Sequence, residues 1–153
     1  MSVLVIIPCG KKKIWDKSPS VGPTSARDAY TGSPFKVNRQ FAEYCQKRGA
    51  DWLILSAKYG FVSPSSLIEN YNVTFKQPKT CPVSHEALRS QVAEMKLDRY
   101  ERVIVVGGRE YLQAVRSAFA GTGCRLEFPA EGLAVGKAMA RLKALMQTDY
   151  VSG

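Results

Sequence analysis

The sequence predicts an α/β protein: three layers, with a mainly parallel sheet of about four strands and helices on both faces. Two observations carry this. Short, almost wholly apolar runs recur along the chain, and amphipathic stretches of helical period lie between them. Strands that read as continuous apolar runs are buried on both faces, as in a parallel sheet covered by crossover helices. The chain has 153 residues, enough for a single domain. We place that domain at residues 1–147 and expect residues 148–153 to form a flexible tail. Ser18–Ser25 also reads as loosely ordered.

Val3–Ile7 is a β-branched run closed by Pro8, the first strand. Ser33-Pro34 has the form of a helix cap followed by proline in the first turn. Phe35, Val37, Phe41, Ala42 and Cys45 continue it at helical spacing, and Gly49 ends it. Trp52–Leu55 is the second strand. Ser84 caps a helix running to about Leu97. Arg102–Val106 is the third strand, Arg109–Ala120 a helix, Cys124–Phe128 a short fourth strand and Leu133–Met146 the last helix. The excursion from Ala57 to Pro82 is too long for a plain connection, and a small hairpin at Tyr71–Phe75 is expected within it.

The formal net charge is +9. Such a charge favours a polyanionic partner, nucleic acid, nucleotide or an anionic membrane surface, although a merely basic protein has the same sign. The four cysteines form no Cys-x-x-Cys pair, so no structural zinc site and no cofactor is called for. The opening MSVLVIIP lacks the form of a secretory signal, and no apolar run reaches the ~20 residues of a membrane span. A cytoplasmic protein with reduced thiols is expected, with no membrane partner.

Ligands of open parallel sheets bind at the carboxyl ends of the strands. Here each strand end is unusual: PCGKKK from Pro8, SAKYG from Ser56, VGGREY from Val106 and FPAEGL from Phe128. Parallel strands bring all four to one edge. Lys11, Lys12, Lys13 and Lys58 are candidate phosphate ligands, and Gly10 allows a close backbone approach. Gly107 and Gly108 before a helix form either an anion cradle or simply a tight turn. Tyr59 and Tyr111 are candidates to stack on a base or hydrogen-bond to it, and Tyr30, Tyr71 and Ser56 are candidate binding residues at the same edge. Cys9, beside three cations, is a candidate binding residue or a reactive thiol. Asp28, Glu69 and Glu131 are the candidate catalytic carboxylates, and spacing does not choose among them. Trp15 suits base stacking beside phosphates or a loop anchor plugging the core. His85, the single histidine, sits at a helix start far from the strand ends, which argues against a Ser-His-Asp triad or a histidine metal site.

PCGKKK, DAYTG, LSAKYG, IENY, the Gly107-Gly108 pair with Tyr111, and Pro129 with Gly132-Leu133 and Gly136 form a familiar set. The chain from Pro8 to Gly136 resembles an uncharacterised bacterial and phage family catalogued as a domain of unknown function. It is more distantly similar to the YaaA peroxide-stress family, and more loosely to the uracil-DNA-glycosylase-like α/β fold and its tRNA base-modifying relatives. These resemblances imply nucleic-acid or nucleobase chemistry. They point to N-glycosidic cleavage of the DNA-glycosylase kind or, without catalysis, to a nucleic-acid or nucleotide-binding module. Two departures accompany them: no helix-hairpin-helix insertion is evident, and only His85 could serve as the histidine of a glycosylase pair. A hydrolase or transferase with Cys9 as nucleophile is a third reading.

Overall fold

The computed structural model describes Ser2–Ser152. In chain order its elements are β1 (Val3–Pro8), a 3-10 turn (Ile14–Asp16), β2 (Thr24–Ser25), α1 (Ala26–Ala29), α2 (Ser33–Gln46), β3 (Asp51–Ser56), β4 (Gly60–Val62) and β5 (Leu67–Ile68). They continue with α3 (His85–Glu94), β6 (Arg102–Val105), α4 (Arg109–Ala118), β7 (Arg125–Glu127) and α5 (Val135–Leu145). The main sheet has the order β4-β3-β1-β6-β7. The four expected strands are its parallel members, β3, β1, β6 and β7. The fifth, β4, turns straight back from β3 and pairs with it antiparallel, Ser56 opposite Gly60. No hairpin forms at Tyr71–Phe75; β5 pairs instead with β2 in a separate ribbon.

Alternation along β1 divides the core, because successive strand side chains point to opposite faces. Val3, Val5 and Ile7 join Trp52, Ile54 and Ile104 beneath α2 and α5, packed on Phe41, Ala42, Cys45, Leu142 and Leu145. Leu4 and Ile6 join Leu53, Leu55, Val103 and Val105 beneath α3 and α4, packed on Leu88, Val92, Leu112 and Val115. This is the expected three-layer arrangement. Phe41 is fully buried between α2 and the sheet, and truncating such a residue to Ala costs about 3–5 kcal/mol.

Two local expectations are corrected. Ser18–Ser25 is fastened, not loose: the Trp15 indole Nε1 donates to Val21 O (3.0 Å) and Gly22 O (3.2 Å), and Thr24 and Ser25 pair with β5. Trp15 itself is buried, so it is the loop anchor and not an exposed stacking surface. The chain end is also docked. Tyr150–Ser152 forms a 3-10 turn with Val151 buried, and Arg102 donates to the carbonyls of Val151 (2.7 Å) and Tyr150 (3.0 Å).

The topology fixes where a crevice opens. The chain leaves β1 for α2 on one face and leaves β6 for α4 on the other, so the connections diverge between two neighbouring strands. That divergence is where doubly wound sheets hold ligands.

Candidate functional site

Two side chains meet where β1 and β6 end. Cys9 follows β1 and Tyr111 lies in the first turn of α4, and their Sγ and hydroxyl groups meet at 3.1 Å. Gly107 makes this meeting possible. Its φ is +147°, and a Cβ there would stand 3.0 Å from the Tyr111 Cβ and 3.5 Å from Pro8. Gly107 is thus required by packing. Gly108, with φ −74° and no neighbour nearer than 3.9 Å, is only the helix cap. A Cβ on Gly10 would stand 3.4–3.5 Å from Tyr30 and Phe35, an ordinary contact, so packing does not demand glycine there as it does at Gly107.

Ser56, fully buried at the end of β3, organises the next wall. Its Oγ accepts from the backbone N–H of Lys58 (3.1 Å) and Tyr59 (3.0 Å), which closes the β3–β4 turn. The same hydroxyl donates to Tyr71 Oη at 3.0 Å, and the hydroxyls of Tyr71 and Tyr30 are hydrogen-bonded at 2.6 Å. Gln91 of α3 clamps this turn from outside, accepting from Phe61 N–H (2.8 Å) and donating to Tyr59 O (3.0 Å). Tyr59 meets Tyr71 edge-on at 5.7 Å, and Lys58 Nζ lies 5.1 Å from the Tyr59 ring centre. Burial pushes the phenols of Tyr30, Tyr71 and Tyr111 well above their ordinary range, and the nearby Cys9 thiol adds to this. They are neutral hydrogen-bonding groups at any physiological pH.

The lysine run does not behave as one patch. Lys11 and Lys12 are exposed, whereas Lys13 is 8 % exposed. Backbone pairing turns Lys13 inward: it bridges to Tyr30, and its N–H is held by Asp16 Oδ2 at 2.8 Å. Its ammonium donates to Lys11 O (3.2 Å) and lies 4.6 Å from the centre of the Tyr71 ring. Burial lowers its pKa, an effect that Cys9 and Asp16 partly oppose. Two clefts meet along this segment. One, of about 580 Å³, has Lys11, Lys12, Lys13, Asn70, Tyr71 and Asn72 among its walls. The other, of about 600 Å³, brings Lys17, Lys36 and Thr31 to Lys12 and Lys13. Asp16 borders both.

The model of DUF6884, described as a family of unknown function, matches residues 4–144, nearly the whole of this chain. The chain belongs to that family. A relative in Bacillus subtilis (strain 168), the uncharacterised protein YfjM, is 39% identical over 130 residues, which cover 84% of this chain and 84% of YfjM. No solved structure matches. The match covers every strand of the main sheet and both clefts, so the site described here lies wholly within the DUF6884 unit.

The three candidate carboxylates of this DUF6884 chain do not converge. Asp28 faces outward, accepts from Ser25 Oγ (2.7 Å) and pairs with Arg39 of α2 (3.1 Å). These contacts hold its carboxyl below the usual range, the Ser25 bond most strongly. Glu131 pairs with Arg116 at 2.7 Å, in the last turn of α4 and not at the crevice end of that helix. Only Glu69 stands beside the tyrosines, its backbone N–H donating to Tyr59 Oη at 3.2 Å while its side chain is exposed. The site draws Cys9, Lys13, Tyr30, Ser56, Tyr59, Tyr71 and Tyr111 together, with Lys11, Lys12 and Lys58 at its rim. His85 is exposed on α3. Asp16, Lys17, Lys36, Asn70 and Asn72 escaped the sequence reading. The two asparagines flank Tyr71, and Asp16 stands three residues after Lys13, the spacing of a capping box. Among the described residues no group of three or more His, Cys, Asp or Glu could hold a metal ion, and no helix is long and apolar enough to cross a membrane.

Proposed function

We propose that this edge of the sheet binds nucleic acid, with phosphates on the exposed lysines and a base edge on Asn70 and Asn72, which flank Tyr71. One observation carries the reading. A single cleft combines cations, an aromatic ring and two amides, contributed by Lys11, Lys12, Tyr71, Asn70 and Asn72. Cations neutralise phosphate and amides pair with base edges, while Tyr71, buried with Lys13 over its ring, forms the wall between the two asparagines. The overall charge of +9 draws such a ligand in.

N-glycosidic cleavage is the second reading, and Asp16 is the observation that favours it. It is a carboxylate bordering both clefts among lysines, where it can stabilise a developing sugar cation or orient water. Asp28 and Glu131, bound to arginines elsewhere, do not support that role.

The test is fluorescence anisotropy with single- and double-stranded DNA and RNA over a salt series. For a single strand, each lysine–phosphate contact contributes about 0.7 to the slope of log K against log salt. Lys11→Ala combined with Lys12→Ala should lower both affinity and slope, and Lys58→Ala should act in the same direction. Absence of binding at low salt, or a slope untouched by the double substitution, overturns the reading. Incubation of base-modified oligonucleotides with wild type and Asp16→Asn then separates binding from turnover.

A further inference from the structure

Three consecutive lysines follow β1, and the fold treats one of them differently. Lys11 and Lys12 stand in solvent, while Lys13 is folded under them and fixed at both ends. Its backbone is held by the bridge to Tyr30 and by the Asp16 carboxylate, and its amine is held by Lys11 O above the Tyr71 ring. Lys13 forms no ion pair among the described residues. It is nonetheless a wall of both clefts, so a ligand in either one reaches it. A purely phosphate-binding lysine is better placed in solvent at the end of a free stem, as its two neighbours are.

We infer that Lys13 is a reactive amine and condenses with the aldehyde of a phosphate-bearing sugar held by the surrounding lysines. A buried ammonium without a counter-ion loses hydration that one carbonyl and the Tyr71 ring replace only in part, which favours the neutral amine, and the neutral amine is the nucleophile. The groups that face it are Asp16 on its own turn, Cys9 just after β1, and the ring of Tyr71, whose hydroxyl is bonded to that of Tyr30. The step balances without an oxidant or reductant. The Nζ lone pair adds to the carbonyl carbon, one amine proton passes to the carbonyl oxygen to give the carbinolamine, and the hydroxyl takes the second amine proton and leaves as water as the C=N bond of the imine forms. Asp16 borders the same clefts and can carry the proton. Lys11, Lys12, Lys17 and Lys36 supply cations for the phosphate.

A phosphorylated sugar aldehyde has two sources: a free sugar phosphate, or the ring-opened sugar of an abasic site in nucleic acid. Only the second rests on the nucleic-acid reading above. The experiment therefore has two arms, each on the full chain with peptide mapping by mass spectrometry. In one, ribose 5-phosphate is added with cyanoborohydride; in the other, an oligonucleotide with an abasic site is trapped with borohydride. The expected result is a reduced adduct on Lys13 ahead of Lys11, Lys12, Lys17 and Lys36, and its loss in Lys13→Arg, which keeps the charge. Adduct formation only with ribose 5-phosphate upholds the reactive amine and assigns it to free sugars, whatever the salt series shows. Adduct formation only with the oligonucleotide assigns it to nucleic acid. No adduct in either arm, or equal adducts across the exposed lysines, overturns the inference. Mapping on wild type decides this even if Lys13→Arg does not fold.

Discussion

The hydroxyls of Tyr30 and Tyr71 lie 2.6 Å apart, although 41 residues separate them in the chain. This contact ties the loop after α1 to the long excursion after β3, and Ser56 at the end of β3 is its third member. Removing one hydroxyl leaves its buried partners unsatisfied, which costs about 1–3 kcal/mol. Tyr71→Phe deprives both Ser56 and Tyr30, so it should destabilise more than Tyr30→Phe. The double variant should cost less than the sum of the two, with a coupling of about 0.5–3 kcal/mol. Urea midpoints of the four proteins measure this, and strict additivity would show that the contact has no energetic role.

The same burial sets the alkaline limit. Tyr30, Tyr71 and Tyr111 keep their protons in the folded state past the ordinary phenol value of about 10. The unfolded chain releases them near that value. Above it the folded state therefore binds more protons, and stability falls as pH rises. Below it this contribution is complete. Lys13 has the opposite sign: its lowered pKa means stability is gained as pH rises toward the ordinary lysine value. Lys13→Met should thus raise stability at neutral pH and abolish that gain. Tyr30→Phe with Tyr71→Phe should flatten the alkaline fall. Thermal midpoints from pH 7 to 11 distinguish the two effects.

Gly107 and Gly108 are adjacent but should respond very differently to a methyl group. At Gly107 an alanine meets the left-handed backbone region and the Tyr111 Cβ, a strain of about 1–3 kcal/mol. It would also part Cys9 from Tyr111. At Gly108 the backbone is ordinary and the space open, so Ala costs only the difference between glycine and alanine as caps, under about 1 kcal/mol. If Gly108→Ala instead removes ligand binding while stability holds, the pair is an anion cradle after all.

What could be read in the sequence depended on how local each cause was. The apolar runs of β1, β3 and β6 are set by burial on both faces, a property of each segment alone. β4 has only Gly60, Phe61 and Val62, too short for any period, so Lys58 and Tyr59 gave no sign of occupying a tight turn. The convergence of strand ends followed from parallel topology and holds for Cys9, Ser56 and Tyr111. It did not extend to the carboxylates, because Asp28 and Glu131 are held by Arg39 and Arg116 on separate helices, and helix rotation is not encoded near either acid. The inward turn of Lys13 likewise depends on a bridge to Tyr30, invisible in a run of identical residues.

Arg102 and Glu127 secure the opposite end of the sheet. Arg102 is buried in β6 and grips Glu127 of β7 in a fork, with Nε to Oε2 at 2.7 Å and Nη2 to Oε1 at 2.9 Å, while Tyr150 Oη donates to Glu127 at 3.0 Å. Burial alone would raise the Glu127 pKa, but Arg102, Tyr150 and Arg125 outweigh it and hold the carboxyl below its ordinary value. Arg102→Met removes the fork, leaves Glu127 with only Arg125 (3.1 Å) and Tyr150, and frees the carbonyls of Tyr150 and Val151. The loss at pH 7 should fall below the ~3–5 kcal/mol of a fully orphaned buried charge, with faster proteolysis after Tyr150. Because the folded carboxyl titrates below the unfolded one, its stabilisation is complete above about pH 4.3 and is lost as pH falls through the folded value. The stability gap between wild type and Arg102→Met should therefore narrow between pH 5 and pH 2. A gap that stays constant over that range would mean that Arg102 acts through the chain-end carbonyls and not through Glu127.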